Sequence, residues 1–165
     1  MKFYTILAWH AGASIVTWFI LLIISKLLGP FIPDHLEKSA LMLLNILPYF
    51  IFLALSFFYI SPKGFKDAEE EKFSIIKCLF SCIIAMVVNA FFIPRNITGL
   101  FTAIPYSFVW SHEPFKQAPG KWVNILLLIN IPIFTIYYGI GNIQYKRRNA
   151  KNQVIDSDSF KSEST

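Results

Sequence analysis

Residues 97–110, ITGLFTAIPYSFVW, are apolar enough to enter a bilayer and too short to cross one. As a regular helix they would reach about 21 Å at 1.5 Å per residue, against a hydrocarbon core about 30 Å thick. Gly99 and Pro105 inside the stretch, with Pro94 and Pro114 flanking it, argue against one continuous helix. Whether the stretch counts as a span fixes which side of the membrane every other loop faces.

Four other apolar blocks reach crossing length, at about 4–28, 40–60, 73–93 and 122–143. Lys and Arg favour the cytoplasmic ends of membrane spans. With four spans and the N-terminus inside, the inner side holds ten basic residues: Lys2, Lys63, Lys66, Lys72, Lys77, Lys146, Arg147, Arg148, Lys151 and Lys161. The outer side holds five: Lys26, Lys38, Arg95, Lys116 and Lys121. A fifth crossing at 97–110 would divide them seven against eight and leave no preferred orientation. The sequence therefore predicts an all-α integral membrane protein. Its residues 1–145 form a four-helix transmembrane bundle with a re-entrant or interfacial outer loop between helices 3 and 4, and 146–165 form a disordered cytoplasmic tail. In that arrangement Tyr106, Trp110 and Trp122 are placed at headgroup level.

Composition agrees with a membrane setting. The 165 residues are 55% hydrophobic, 17% aromatic and only 15% charged, where a soluble chain carries about 25% charge. The net charge of +5 sits at the ends of apolar blocks and forms no basic stripe interleaved with aromatics, which excludes a nucleic-acid binder. The first block is too long for a signal-peptide core of about 7–15 residues and is read as a retained helix. Abundant Ile, Phe, Asn and Lys associate the composition with a bacterial gene, and hence with a cell (plasma) membrane.

Short connections carry helix signals. Asp34 with Glu37 has capping-box spacing ahead of the second helix, and Asp67 with Glu70 has the same spacing ahead of the third. The acidic run 69–71 is expected to complement the dipole at that helix start. Pro48 and Pro132 lie inside the second and fourth blocks, where membrane helices tolerate proline if neighbours satisfy the freed carbonyl.

The third block holds the most specific pattern. Ser74, Cys78, Ser81, Cys82, Ala85 and Asn89 recur at intervals of three and four, a small and polar stripe on an otherwise apolar helix. Such a face meets protein rather than lipid, because small residues allow close approach and polar ones add about 0.6–2 kcal/mol per contact. Cys78 and Cys82, one helical turn apart, read as packing residues, since i,i+4 neighbours stand farther apart than a disulfide prefers. The first block offers His10, Ser14 and Thr17 on one face, with an Ala8-x-x-x-Gly12 small pair. The second offers Asn45, Pro48, Phe52, Ser56 and Tyr59. The predicted topology puts Thr17, Asn45, Asn89 and Asn130 at similar depth in the outer half, so they are expected to pack together or line a small polar pocket beneath the outer loop. His10 is an intramembrane ionisable group and a functional suspect on that ground. The juxtamembrane cluster Lys146, Arg147, Arg148 and Lys151 is expected to attract anionic lipid.

Catalytic signatures are missing. There is no nucleophile elbow, phosphate-binding glycine loop, H-E-x-x-H or EF-hand loop, and no apolar block contains Asp or Glu. Asp34, His35, Glu37, His112 and Glu113 lack metal-site spacing. The expectation is a non-enzyme without metal or cofactor. It would be an accessory, immunity-like or sensing protein acting through helix–helix or outer-loop binding, with the lipid bilayer and another membrane protein, or itself, as partners. The alternative is a small transporter or oligomeric channel with its polar site in the outer half of the bundle.

Overall fold

The computed structural model describes residues 2–31, 37–92, 104–106, 109 and 118–162. Among them the chain is all helical. They form four helices, α1 (Phe3–Leu28), α2 (Glu37–Glu69), α3 (Ile75–Phe92) and α4 (Pro119–Ser162), with single 3-10 turns at Gly29–Phe31 and Ile104–Tyr106. Three helices are long and apolar enough to cross a membrane, through Phe3–Ile24, Ile46–Glu69 and Lys121–Gln153. The apolar part of α3, Ile75–Phe91, is shorter. Its 18 residues still extend about 27 Å.

Contacts fix the relative directions. Tyr49 meets Asn130, Phe52 meets Phe134, Phe57 meets Tyr137 and Phe65 meets Tyr145, so residue numbers on α2 and α4 rise together and the two helices run parallel. On α3 and α4, Ile75 meets Gly139 while Cys82, two turns further along α3, meets Thr135, one turn earlier on α4. That pair is antiparallel. Trp9, near the start of α1, stacks on Tyr59 towards the end of α2 at 4.1 Å between ring centroids.

Polarity is arranged inside out relative to a water-soluble bundle. His10, Ser14, Thr17, Ser56, Ser61, Asn89 and Asn130 are buried, while Phe19, Ile23, Phe50, Phe58, Phe80, Phe91 and Ile136 lie on the outside. A water-soluble monomer rarely exposes so much contiguous apolar surface, whereas hydrocarbon solvates it at no cost and makes the interior the favoured place for hydroxyls and amides. The centre is filled by Phe52, Tyr106, Phe134 and Tyr138, all fully buried.

The tightest approach is between α2 and α4 and was not visible as a motif. A Cβ on Gly64 would land on the backbone carbonyl of Tyr138, and one on Gly141 would strike the Ser61 carbonyl and the Phe65 amide. These glycines let the two backbones touch. By contrast, a Cβ on Gly12 would meet nothing within 4 Å, and Ala8 and Gly12 are both exposed. Among the described residues the Ala8–Gly12 pair is thus no packing seam. His10, Ala13, Ser14 and Thr17 face inward instead, and Ser14 and Thr17 return their hydroxyls to the carbonyls of His10 and Ala13 at 2.7 Å.

The second helix is longer than its apolar block, which corrects the reading of residues 67–71. Pro62 is on the exposed side, where its missing amide costs least, and α2 continues through it to Glu69. The acidic run therefore closes α2 and does not open α3. Glu71 adopts φ 57°, with its amide on the Ala68 carbonyl at 3.2 Å and the Lys72 amide on the Asp67 carbonyl at 2.7 Å, the bonding of a Schellman ending. The unfavourable acidic C-terminus is offset by Lys72 and Lys66, 2.8 and 3.7 Å from the Glu70 carboxylate. The hydrogen bond from Lys72 holds Glu70 below its ordinary pKa and raises that of Lys72. The start of α3 is capped by Ser74, whose Oγ accepts the Lys77 amide at 3.4 Å. Pro119 stands at the first position of α4, where its lack of an amide is harmless. The helix then runs without a break past the apolar boundary to Ser162, where composition predicted a disordered tail. Lys, Arg, Gln and Ala in that stretch are good helix formers, and the apolar part of the same helix nucleates them.

Candidate functional site

The interior is organised around Tyr106, which belongs to the stretch that opened the sequence analysis. Neighbouring Pro105 and nearby Val109 are also buried. The Tyr106 hydroxyl accepts the Asn130 side-chain amide at 2.6 Å and lies 3.0 Å from His10 Nε2. Asn130 Oδ1 in turn accepts the Tyr49 hydroxyl at 3.0 Å. The Tyr106 hydroxyl and His10 Nε2 share a hydrogen bond whose donor is set by the imidazole tautomer. Four side chains from α1, α2, α4 and the 104–106 turn thus form one chain of hydrogen bonds, three of them (His10, Tyr106 and Asn130) wholly buried. Phe52 walls it, with ring centroids 4.8 Å from His10, 6.3 Å from Tyr106 and 6.1 Å from Phe134.

Tyr106, expected to face an interface, is instead enclosed by the helices. An apolar ring with one polar end satisfies an interface and a buried polar partner equally well, and here the partner is inside. Trp122 is half-buried against the core, and Trp110 lies outside the described residues.

Of the four residues assigned to a polar pocket, Asn130 is at the heart of the network. Thr17 is buried but bonds within its own helix. Asn89 is buried with its Nδ2 unpartnered. The Asn45 side chain lies outside the described residues, as do Asp34, His35, His112 and Glu113. On α3, Cys78, Cys82 and Ala85 are fully buried, Ser74 and Ser81 partly so, and both thiols are free. His10 is fully enclosed. Tyr49 and Tyr106 are the members that sequence reasoning missed. The available signal was a tyrosine beside a proline within an otherwise apolar run, which requires a polar partner somewhere.

Among the described residues, four buried polar atoms have no hydrogen-bond partner: Trp9 Nε1, His10 Nδ1, Ser56 Oγ and Asn89 Nδ2. Such groups are ordinarily satisfied by ordered water. At the opposite end, the Tyr138 hydroxyl donates to Asp67 Oδ2 at 2.7 Å, with Phe73 stacked on the Tyr138 ring at 4.9 Å. Ser61 reaches Gln144 at 3.4 Å. These contacts fasten the turn between α2 and α3 onto α4.

Chemically, the central network can hold, orient and donate hydrogen bonds. Its members, His10, Tyr49, Tyr106 and Asn130, are bonded to one another as neutral groups beside the Phe52 ring. No protein family, characterised protein or solved structure matches the chain.

Proposed function

We propose that the chain is an integral membrane protein of four spans, with both termini cytoplasmic in a bacterial plasma membrane. In this reading it is a non-catalytic accessory, immunity-like or sensing component that works by binding another membrane protein or a second copy of itself. Two helices running parallel, as α2 and α4 do, require the chain between them to return across the bilayer. The antiparallel α3, about 27 Å long, supports a crossing there. The ten-to-five division of basic residues supports the orientation.

The observation that carries the functional reading is the fully buried Tyr106. Asn130 lies 11 residues into α4, about 16 Å along its axis, so a side chain bonded to it reaches well below the outer surface. This favours a re-entrant outer segment over an interfacial one. The bundle centre is then occupied by the protein's own loop, and the interior polar groups serve to dock it. A docked, semi-apolar outer segment is suited to presenting a fixed surface to a partner.

The unpartnered His10 Nδ1, Ser56 Oγ and Asn89 Nδ2 favour a second reading, a small transporter or oligomeric channel with a hydrated interior. One pair of measurements separates the two. Photo-cross-linking from positions in 97–110 in cells, followed by mass determination of the purified species, gives a discrete adduct or dimer under the binding reading. Solute flux in reconstituted vesicles that is abolished by Asn130→Leu, with no adduct to another protein from positions 97–110, defeats it in favour of transport, whether the carrier is a monomer or an oligomeric channel.

A further inference from the structure

Where α3 and α4 cross the bilayer, as proposed above, the outer side of the pair faces lipid. An open apolar groove of about 390 Å³ runs there, lined chiefly by Phe73, Ile75, Ile136, Gly139, Ile140 and Ile143. Its floor is Gly139, where a Cβ would meet only the Ile75 side chain at 3.7 Å, in ordinary contact. Gly139 is thus not demanded by helix packing, unlike Gly64 and Gly141, and its missing side chain is what keeps the groove open. Asn142, which also lines the groove, adds an amide to it. By helical periodicity Lys146 and Arg147 follow one turn beyond Asn142 and Ile143 on the same side of α4, and both are exposed. Arg148, in contrast, turns towards α2 and lies over the Phe65 ring. Of the nearby acids, Glu70 is paired with Lys72 and Lys66, and Asp67 accepts the Tyr138 hydroxyl.

We propose that this groove and its basic rim form a binding site for one anionic phospholipid, with an acyl chain lying over Gly139 and the phosphate held by Lys146 and Arg147. The arrangement matches the ligand at both ends. The groove offers hydrocarbon contact between α3 and α4, and the Asn142 amide followed along α4 by two cations offers the headgroup hydrogen bonds and charge. A scattered basic cluster would attract anionic lipid without selecting a position. The groove supplies the selection.

The test uses the full chain in nanodiscs of phosphatidylcholine with a minority of phosphatidylglycerol, followed by native mass spectrometry of the released protein. The expected result is one phosphatidylglycerol retained in preference to phosphatidylcholine. Lys146→Gln with Arg147→Gln should lower that retention by roughly 30-fold, as expected for two interfacial charges. Arg148→Gln with Lys66→Gln, an equal loss of charge on residues away from the groove, should lower it less than about threefold. Gly139→Leu should abolish it with the charges intact. Equal losses in the two charge pairs, or retention unchanged by Gly139→Leu in a protein that still enters nanodiscs, would overturn the site. A wild-type chain that does not enter nanodiscs at all would overturn the membrane reading beneath it.

Discussion

Removing one oxygen from Tyr106 isolates the central network from everything else in the fold. Tyr106→Phe keeps the ring against Phe52 and Tyr49 but strips Asn130 Nδ2 and His10 Nε2 of their shared partner. A buried polar group left unsatisfied costs about 1–3 kcal/mol, and measured interhelical hydrogen bonds in membranes lie near the lower end, about 0.6–1.7 kcal/mol. Two bonds lost together set the expected cost at about 1.5–3 kcal/mol, borne by docking of the outer segment, because the helix contacts of α2 with α4 do not involve this oxygen. At about 1.4 kcal/mol per factor of ten, the undocked population should rise roughly 10- to 100-fold.

The assay is the rate at which a membrane-impermeant maleimide labels Ser107→Cys, the position next in sequence. Cys78 and Cys82 are fully buried, so the background is low. Labelling should accelerate by that factor in Tyr106→Phe. Asn130→Leu should give a similar acceleration, and the double variant should show much less than the product of the two, since both remove the same bond. Unchanged labelling in Tyr106→Phe, or strict additivity with Asn130→Leu, would refute the reasoning.

Gly64→Ala and Gly141→Ala should each destabilise the folded protein by about 1–3 kcal/mol or more, because the added carbon meets backbone and not a movable side chain. Gly139→Ala should be neutral or stabilising by up to about 1 kcal/mol, and thermal unfolding in detergent separates these cases. Glu71→Gly should raise the unfolding midpoint, worth about 1 kcal/mol, by relieving the left-handed conformation at φ 57°. The Lys72 hydrogen bond depresses the Glu70 pKa, so its contribution is complete above the ordinary carboxylate range and is lost as pH falls through the lowered value. Glu70→Gln should accordingly differ from wild type at neutral pH and converge with it once the pH has fallen through the lowered Glu70 pKa. A difference that grows on acidification would contradict that sign.

The apolar blocks were legible in the sequence because hydrophobic run length is a local property that a bilayer reads directly. Helices α1 and α3 fall within two residues of their blocks, with α3 started by its own Ser74 cap. The end of α2 was not legible. Proline and a run of glutamates are local stop signals, yet the contact of Gly64 and Ser61 with α4 carries the helix through Pro62 to a Schellman ending. Nor could the sequence distinguish the outward Gly12 from the inward Gly64 and Gly141, because a missing Cβ says nothing about what stands opposite it. The residues of the polar interior were partly readable, since a hydroxyl or amide in an apolar run must find a partner. Which partner it finds depends on helix directions and on where the outer segment folds. His10, Asn130, Tyr49 and Tyr106 are far apart in the chain, and only the packing of three helices and one turn makes them neighbours.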